Sequence, residues 1–133
     1  MCHQNFYLIK NTLFFMKPDS YLYMENRPWG SFFVIAEDSL YKIKRIEVNP
    51  GGRLSYQYHN KRSEVWTIIQ GRGGITLNDK HQDYVKGDTI LIPQGVKHRI
   101  ENNGTEKTIF IEVQTGSYFG EDDIVRIEDD YNR

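Results

Sequence analysis

From Arg27 onward, apolar and polar residues alternate in short runs broken by turn residues, and no helical period of apolar positions continues beyond two turns. The runs predict strands over residues 30–36, 41–48, 54–58, 64–70, 73–77, 81–85, 89–92, 98–102 and 107–115. Between them stand Glu37-Asp38-Ser39, Asn49-Pro50-Gly51-Gly52, Asn78-Asp79-Lys80, Lys86-Gly87-Asp88 and Asn102-Asn103-Gly104. These residue types set turn dihedrals or hydrogen-bond their own backbone. Many short strands with polar turns predict an all-β sandwich or barrel. The acidic tail, residues 121–133, is expected to add a helical turn or a last strand near 122–126.

A length of 133 residues suits one domain with its own core. The strand pattern covers 27–133, which is taken as the domain, and leaves 1–26 as an N-terminal extension. Residues 6–16, FYLIKNTLFFM, are apolar but contain Lys10 and Asn11. They fall short of the roughly 20 residues that a membrane-spanning helix needs, and the start does not match a secretory signal. No membrane association is expected. The segment is read as a strand added to a sheet edge or exchanged with a partner subunit, or as an extension ahead of a later start at Met16 or Met24. The single cysteine, Cys2, excludes an internal disulfide and fits a cytoplasmic location. A net charge of -1 gives no basic field for nucleic acid.

Two stretches concentrate the candidate chemistry: GGRLSYQYHNKRSEVWTIIQG, residues 51–71, and GDTILIPQGVKHRIEN, residues 87–102. Side chains on a strand alternate between faces, so Arg53, Ser55, Gln57 and His59 share one face. Glu64, Trp66 and Ile68 share another after the turn-like Asn60-Lys61-Arg62-Ser63, which makes the stretch a hairpin aiming a carboxylate at an imidazole. Pro93 and Gly95 end the strand at 89–92 and let His98 return on a neighbouring strand. In order and spacing these residues resemble the two motifs of the cupin superfamily. Gly51, Gln57, His59, Glu64 and Gly71 fill the first, and Gly87, Pro93, Gly95, His98 and Asn102 the second.

That resemblance implies a cupin double-stranded β-helix, a jelly-roll barrel with a metal in its mouth, and makes Gln57, His59, Glu64 and His98 the metal ligands. Two imidazoles with oxygen donors suit zinc, manganese, cobalt, nickel or iron without choosing among them. Arg53 shares the ligands' face by period-two counting and is the best cationic candidate for catalysis or substrate orientation. Lys42 and Lys44 alternate with Ile43 and Arg45, so both faces of that strand carry cations and one set faces the cavity. Inward cations suit an anionic ligand. His81 is read as solvated.

The likeness narrows at Arg27-Pro28-Trp29-Gly30, at YKIKRIEVNPGGRLSYQYH, at Glu64 with Trp66, and at the tail EVQTGSYFGEDDIVRIEDDYNR. These resemble the type II mannose-6-phosphate isomerase domain, found alone or joined to a mannose-1-phosphate guanylyltransferase, in a setting of nucleotide-sugar and polysaccharide synthesis. The resemblance implies metal-dependent interconversion of mannose 6-phosphate and fructose 6-phosphate. Metal would be held by Gln57, His59, Glu64 and His98, with Arg53 catalytic and Lys44 and Arg126 as phosphate candidates. The proton-carrying base stays unassigned, since Glu64 serves only if loosely ligated. The family has His where this chain has Asn60, Lys61 and Val65, which raises the alternative of a cupin that binds metal and sugar phosphate without turnover. An oxygenase is a third reading, opposed by the tail. The Gly-rich loop of the guanylyltransferase half is absent from these residues, so GDP-mannose formation is not expected of them. A homodimer formed through sheet edges is the expected assembly.

Overall fold

Residues 18–132 are described by the structure, a computed structural model. Eleven strands follow one another: β1 (Tyr23–Arg27), β2 (Gly30–Glu37), β3 (Tyr41–Val48), β4 (Tyr56–Tyr58), β5 (Arg62–Gln70), β6 (Arg72–Leu77), β7 (Lys80–Val85), β8 (Thr89–Ile92), β9 (His98–Glu101), β10 (Thr108–Gly116) and β11 (Val125–Glu128). They form two antiparallel sheets, one in the order β1-β2-β3-β10-β5-β8 and the other β11-β4-β9-β6-β7. This is the all-β double-stranded β-helix that the motifs imply. Among the described residues there is no helix long and apolar enough to cross a membrane.

Each expected strand is present within a few residues of its expected bounds, and the tail forms a strand, β11, rather than a helical turn. Residues 23–26, assigned to the extension, pair with β2 from Tyr23↔Val34 to Arg27↔Gly30. The connection is tight because Gly30 takes a positive φ of 153°, and a Cβ there would stand 2.0 Å from the Glu47 carbonyl oxygen. The expected strand at 6–16, with Cys2 and His3, lies outside the described residues.

The inner face of the larger sheet changes character along its strands. On β3, Lys42 and Lys44 give way to Ile46 and Val48; on β10, Gln114 and Glu112 give way to Phe110; on β5, Arg62 and Glu64 give way to Trp66 and Ile68. Antiparallel pairing sets Lys44 opposite Glu112 and Glu112 opposite Trp66, with Lys42, Gln114 and Glu64 aligned one step further out. Residues directly opposite each other share a face, so the register alone builds two polar rows across three strands. Below them lies the core of Trp29, Phe32, Val34, Ile46, Val48, Trp66, Ile68, Ile75, Ile90, Ile92, Ile100 and Phe110. Burying the polar rows is costly unless each group finds a partner or a ligand. This end of the barrel is therefore where function is sought.

Candidate metal centre

His59 follows directly on β4, Glu64 lies two residues inside β5, and His98 opens β9. One ligand atom from each of the three lies within 4.8 Å of the others. Glu64 Oε2 is 3.1 Å from His59 Nε2, and Glu64 Oε1 is 3.8 Å from His98 Nε2. All three residues are buried, exposed by 1–2% only. Gly95, at φ 85°, allows the reversal that brings His98 back, and its N–H donates to the His59 carbonyl at 2.9 Å.

Both imidazoles are oriented from behind. His59 Nδ1 lies 2.7 Å from the Asp123 carbonyl oxygen, and His98 Nδ1 lies 2.9 Å from the Val96 carbonyl oxygen. A carbonyl only accepts, so each Nδ1 carries a hydrogen and each Nε2 is the ring atom turned towards Glu64. The Nε2 of His98 is buried without a hydrogen-bond partner. Two imidazole lone pairs and a carboxylate converging in a dry pocket, with the far ring nitrogens held by carbonyls, form a donor set that fits a divalent metal ion. A coordinated ion would also supply the partner that His98 Nε2 lacks.

Gln57 stands opposite His98 in the β4–β9 ladder and lines a cavity next to the cluster, where its side-chain oxygen accepts the Ser55 hydroxyl at 2.5 Å. The cavity, about 60 Å³, is also lined by Arg27, Lys44, Arg62, Glu112, Glu121 and Arg126. Of the two cationic faces left open on β3, the inward one carries Lys42 and Lys44, both buried. Lys44 Nζ pairs with Glu121 at 2.7 Å and sits 4.1 Å from the centre of the Phe32 ring. Arg126 reaches the cavity from β11, where it pairs with Gln57.

Arg53 is placed elsewhere. Its guanidinium makes a bidentate pair with Asp130, at 2.9 and 2.6 Å, and its side chain is 39% exposed. Period-two counting fails because Arg53 belongs to an isolated bridge with Glu101, while β4 begins only at Tyr56. The alternation does not carry across the gap. Replacing Arg53 by alanine is expected to leave metal content unchanged and to shift stability by less than about 1 kcal/mol, the usual worth of an exposed ion pair. Metal analysis beside a denaturant titration checks both.

Two residues that the sequence reading passed over complete the centre. Arg62, 3% exposed, donates from Nε to Glu64 Oε2 at 2.9 Å and places Nη2 3.4 Å from His59 Nε2. Glu112 shares the Trp66 indole N–H with Glu64: Nε1 is 3.0 Å from Glu64 Oε1 and 3.1 Å from Glu112 Oε1. Glu112 also accepts from Gln114 Nε2 at 2.7 Å. Burial would raise the Glu64 carboxyl, but His59, His98 and Arg62 hold it well below the usual range. Burial and the Glu64 charge push Glu112 up to about 7. The two neighbouring carboxyls are thus pushed in opposite directions, Glu64 towards the anion and Glu112 towards the protonated form.

The sequence model of the family described as Mannose-6-phosphate isomerase C-terminal matches residues 18–129. The chain belongs to this family. Similar proteins include the Klebsiella pneumoniae protein named Mannose-1-phosphate guanylyltransferase, 42% identical over 80% of this chain and 23% of its own length. Another is the Xanthomonas campestris xanthan biosynthesis protein XanB, 44% identical over the same shares. The chain therefore spans under a quarter of the length of these relatives. Among solved structures, an uncharacterised Klebsiella pneumoniae protein with a double-stranded β-helix domain superposes with a TM-score of 0.64 at 23% identity, covering 71% of this chain and 76% of that one.

The structure also locates Asn60, Lys61 and Val65, the positions where the resemblance leads to an expectation of histidine. Asn60 and Lys61 are exposed, and Val65 faces away from the side shared by Glu64 and Trp66. None of the three belongs to the His59, Glu64 and His98 cluster.

Proposed function

We propose that the domain is a metal-dependent aldose–ketose isomerase acting on mannose 6-phosphate and fructose 6-phosphate. The observation that carries this reading is a second buried carboxyl, Glu112, joined to Glu64 through the shared Trp66 indole N–H, so that it stands between the His59, Glu64 and His98 cluster and a cavity lined with cations. Family membership over residues 18–129 supports the substrate class. The reaction moves a proton between C1 and C2 of the open-chain sugar and needs charge stabilisation on the neighbouring oxygens. A divalent ion held by His59, Glu64 and His98, with Gln57 beside them, would supply Lewis-acid polarisation of the sugar carbonyl.

The chain's own residues account for the rest. Lys44, Arg27 and Arg126, which line the cavity, offer cations for the phosphate, and Arg62 keeps Glu64 anionic and oriented. Glu112 is the group assigned to carry the proton. Its two hydrogen-bond donors, Trp66 and Gln114, are neutral, so no bonded cation holds it permanently charged, and it lines the cavity beside the metal-capable cluster. The side-chain ring of Trp66 and the apolar core beneath it close the floor against water.

The test is a coupled assay of mannose 6-phosphate to fructose 6-phosphate on chelated protein reloaded in turn with zinc, manganese, cobalt, nickel and iron. Turnover is expected to disappear on chelation and to return with at least one ion. Protein that contains metal yet turns over with none of them would select the binding cupin instead.

A further inference from the structure

His98 and His59 are oriented in different ways. The carbonyl that holds His98 Nδ1 belongs to Val96, two residues earlier in the same loop. The carbonyl that holds His59 Nδ1 belongs to Asp123, 64 residues later, in the connection between β10 and β11. That connection lies across the mouth. Lys42 Nζ donates to the Phe119 carbonyl at 3.4 Å, Arg62 Nη1 to the Gly120 carbonyl at 3.5 Å, and Lys44 Nζ to the Glu121 carboxylate at 2.7 Å. Asp123 is 8% exposed, and both its carboxylate oxygens are engaged by backbone: Oδ1 accepts Asn60 N–H at 3.0 Å and Oδ2 accepts Lys61 N–H at 2.9 Å.

The geometry points to Asp123 as a positioning residue for the metal centre. Its carboxylate clamps the two peptide N–H groups that follow His59, while its own carbonyl accepts from the His59 ring, so one residue fixes both the backbone and the tautomer of that ligand. A tail free to drift by an ångström would let the ring rotate or exchange its proton to Nε2, the atom facing Glu64. Outer partners of this kind set ring orientation and ligand basicity, and losing one typically costs about 10- to 100-fold in metal affinity. Asp123 acts through His59 and is not itself placed against substrate. The inference rests on the metal reading given above, and its test does not depend on turnover.

The probe is zinc, competed against a chromophoric chelator, on full-length wild type and on Asp123→Ala and Asp123→Asn. The alanine variant is expected to bind zinc about tenfold or more weakly. Asparagine keeps one acceptor oxygen for one of the two N–H groups and is expected to lose only about a few-fold. Ring nitrogen-15 shifts of the zinc-free proteins give the second readout. At a pH high enough for both rings to be neutral, His59 is expected to be Nδ1–H in wild type and a mixture of tautomers in the alanine variant, while His98, held by Val96, stays Nδ1–H in both. A purely structural loss would disturb the two rings alike. Should the alanine variant not fold, the asparagine variant carries both readouts, with the same direction and a smaller size. Wild-type zinc affinity and an unchanged His59 tautomer in the folded variants would overturn the inference while leaving the metal centre intact. Failure of wild type to bind zinc would bring down the metal reading and this inference together.

Discussion

Protein carrying His59→Ala and His98→Ala together is expected to emerge from metal reloading and gel filtration with its metal gone. The two Nε2 atoms contribute two of the three ligand atoms that converge within 4.8 Å, and the remaining carboxylate is already engaged by Arg62 and Trp66. Removing outer partners of metal-binding histidines costs about 10- to 100-fold in affinity, so removing the ligands themselves is expected to cost more. Both rings are almost fully buried and pack 5.0 Å apart, with His98 also edge-on to Trp66 at 5.6 Å. Truncation will therefore leave space in the mouth, and a thermal melt has to accompany the metal analysis. The Asn78–Lys97 ties and the β4–β9 pairing at Gln57↔His98 do not use the His59 or His98 side chains and are expected to keep the barrel folded. A folded double variant that retains one metal per chain would place the ion elsewhere and end the assignment of this cluster. Zero occupancy in the variant beside full occupancy in wild type establishes it, whatever the outcome of the turnover assay.

The barrel was legible in the chain because its turns are written in strong local chemistry. Asn78 and Asp79 take φ values of 46° and 70°, and Gly87 takes 95°, so turn residues stand where only such residues are comfortable. β1 escaped because YMENR carries a single large apolar residue in its interior and forms the edge of its sheet, where alternation is weakly enforced. The His59, Glu64 and His98 cluster was readable from the spacing of the two motifs. Arg62, however, was assigned to a turn, whereas β5 starts at Arg62 itself and puts it on the face of Glu64 and Trp66. Glu112 and Gln114 were hidden by a deeper ambiguity. In the sequence Ile109-Phe110-Ile111-Glu112-Val113-Gln114, alternation offers Ile111 and Val113 as the buried set and the polar residues as the solvated one. The structure reverses this: Ile111 and Val113 are half-buried on the outer face, while Glu112 and Gln114 are buried inside. A strand pattern specifies two faces without saying which one is inner, and near a functional mouth the polar face is the inner one. Phe110 settles the matter only through its long-range pairing with Ile46 and Ile68.

Glu112→Gln is the substitution expected to separate chemistry from binding. If Glu112 carries the proton between C1 and C2, its amide should lower kcat by about 100- to 10,000-fold, the range that positioned acid–base groups supply. The replacement is close to isosteric, so volume is conserved in a fully packed site. The hydrogen bonds can also be kept. The new amide oxygen accepts the Trp66 N–H as the carboxylate does, and its NH₂ group needs an acceptor where Gln114 Nε2 now donates. Gln114 has one to offer, since its Oε1 is buried without a partner, and turning its amide over presents that oxygen. Metal content is therefore expected to match wild type, and the concentration of mannose 6-phosphate giving half-maximal rate should change little, because the cations lining the cavity are all retained. Deuterium uptake supplies an independent readout: in D₂O, wild type is expected to wash solvent deuterium into the sugar at C1 or C2, and the variant to lose that exchange in proportion to kcat. Turnover within a few-fold of wild type would remove Glu112 from the chemistry and return the proton to Glu64 or to water. Loss of metal along with activity would instead make Glu112 a structural neighbour of Glu64. Lost turnover and lost exchange with metal and substrate affinity retained is the one combination that identifies it as the base.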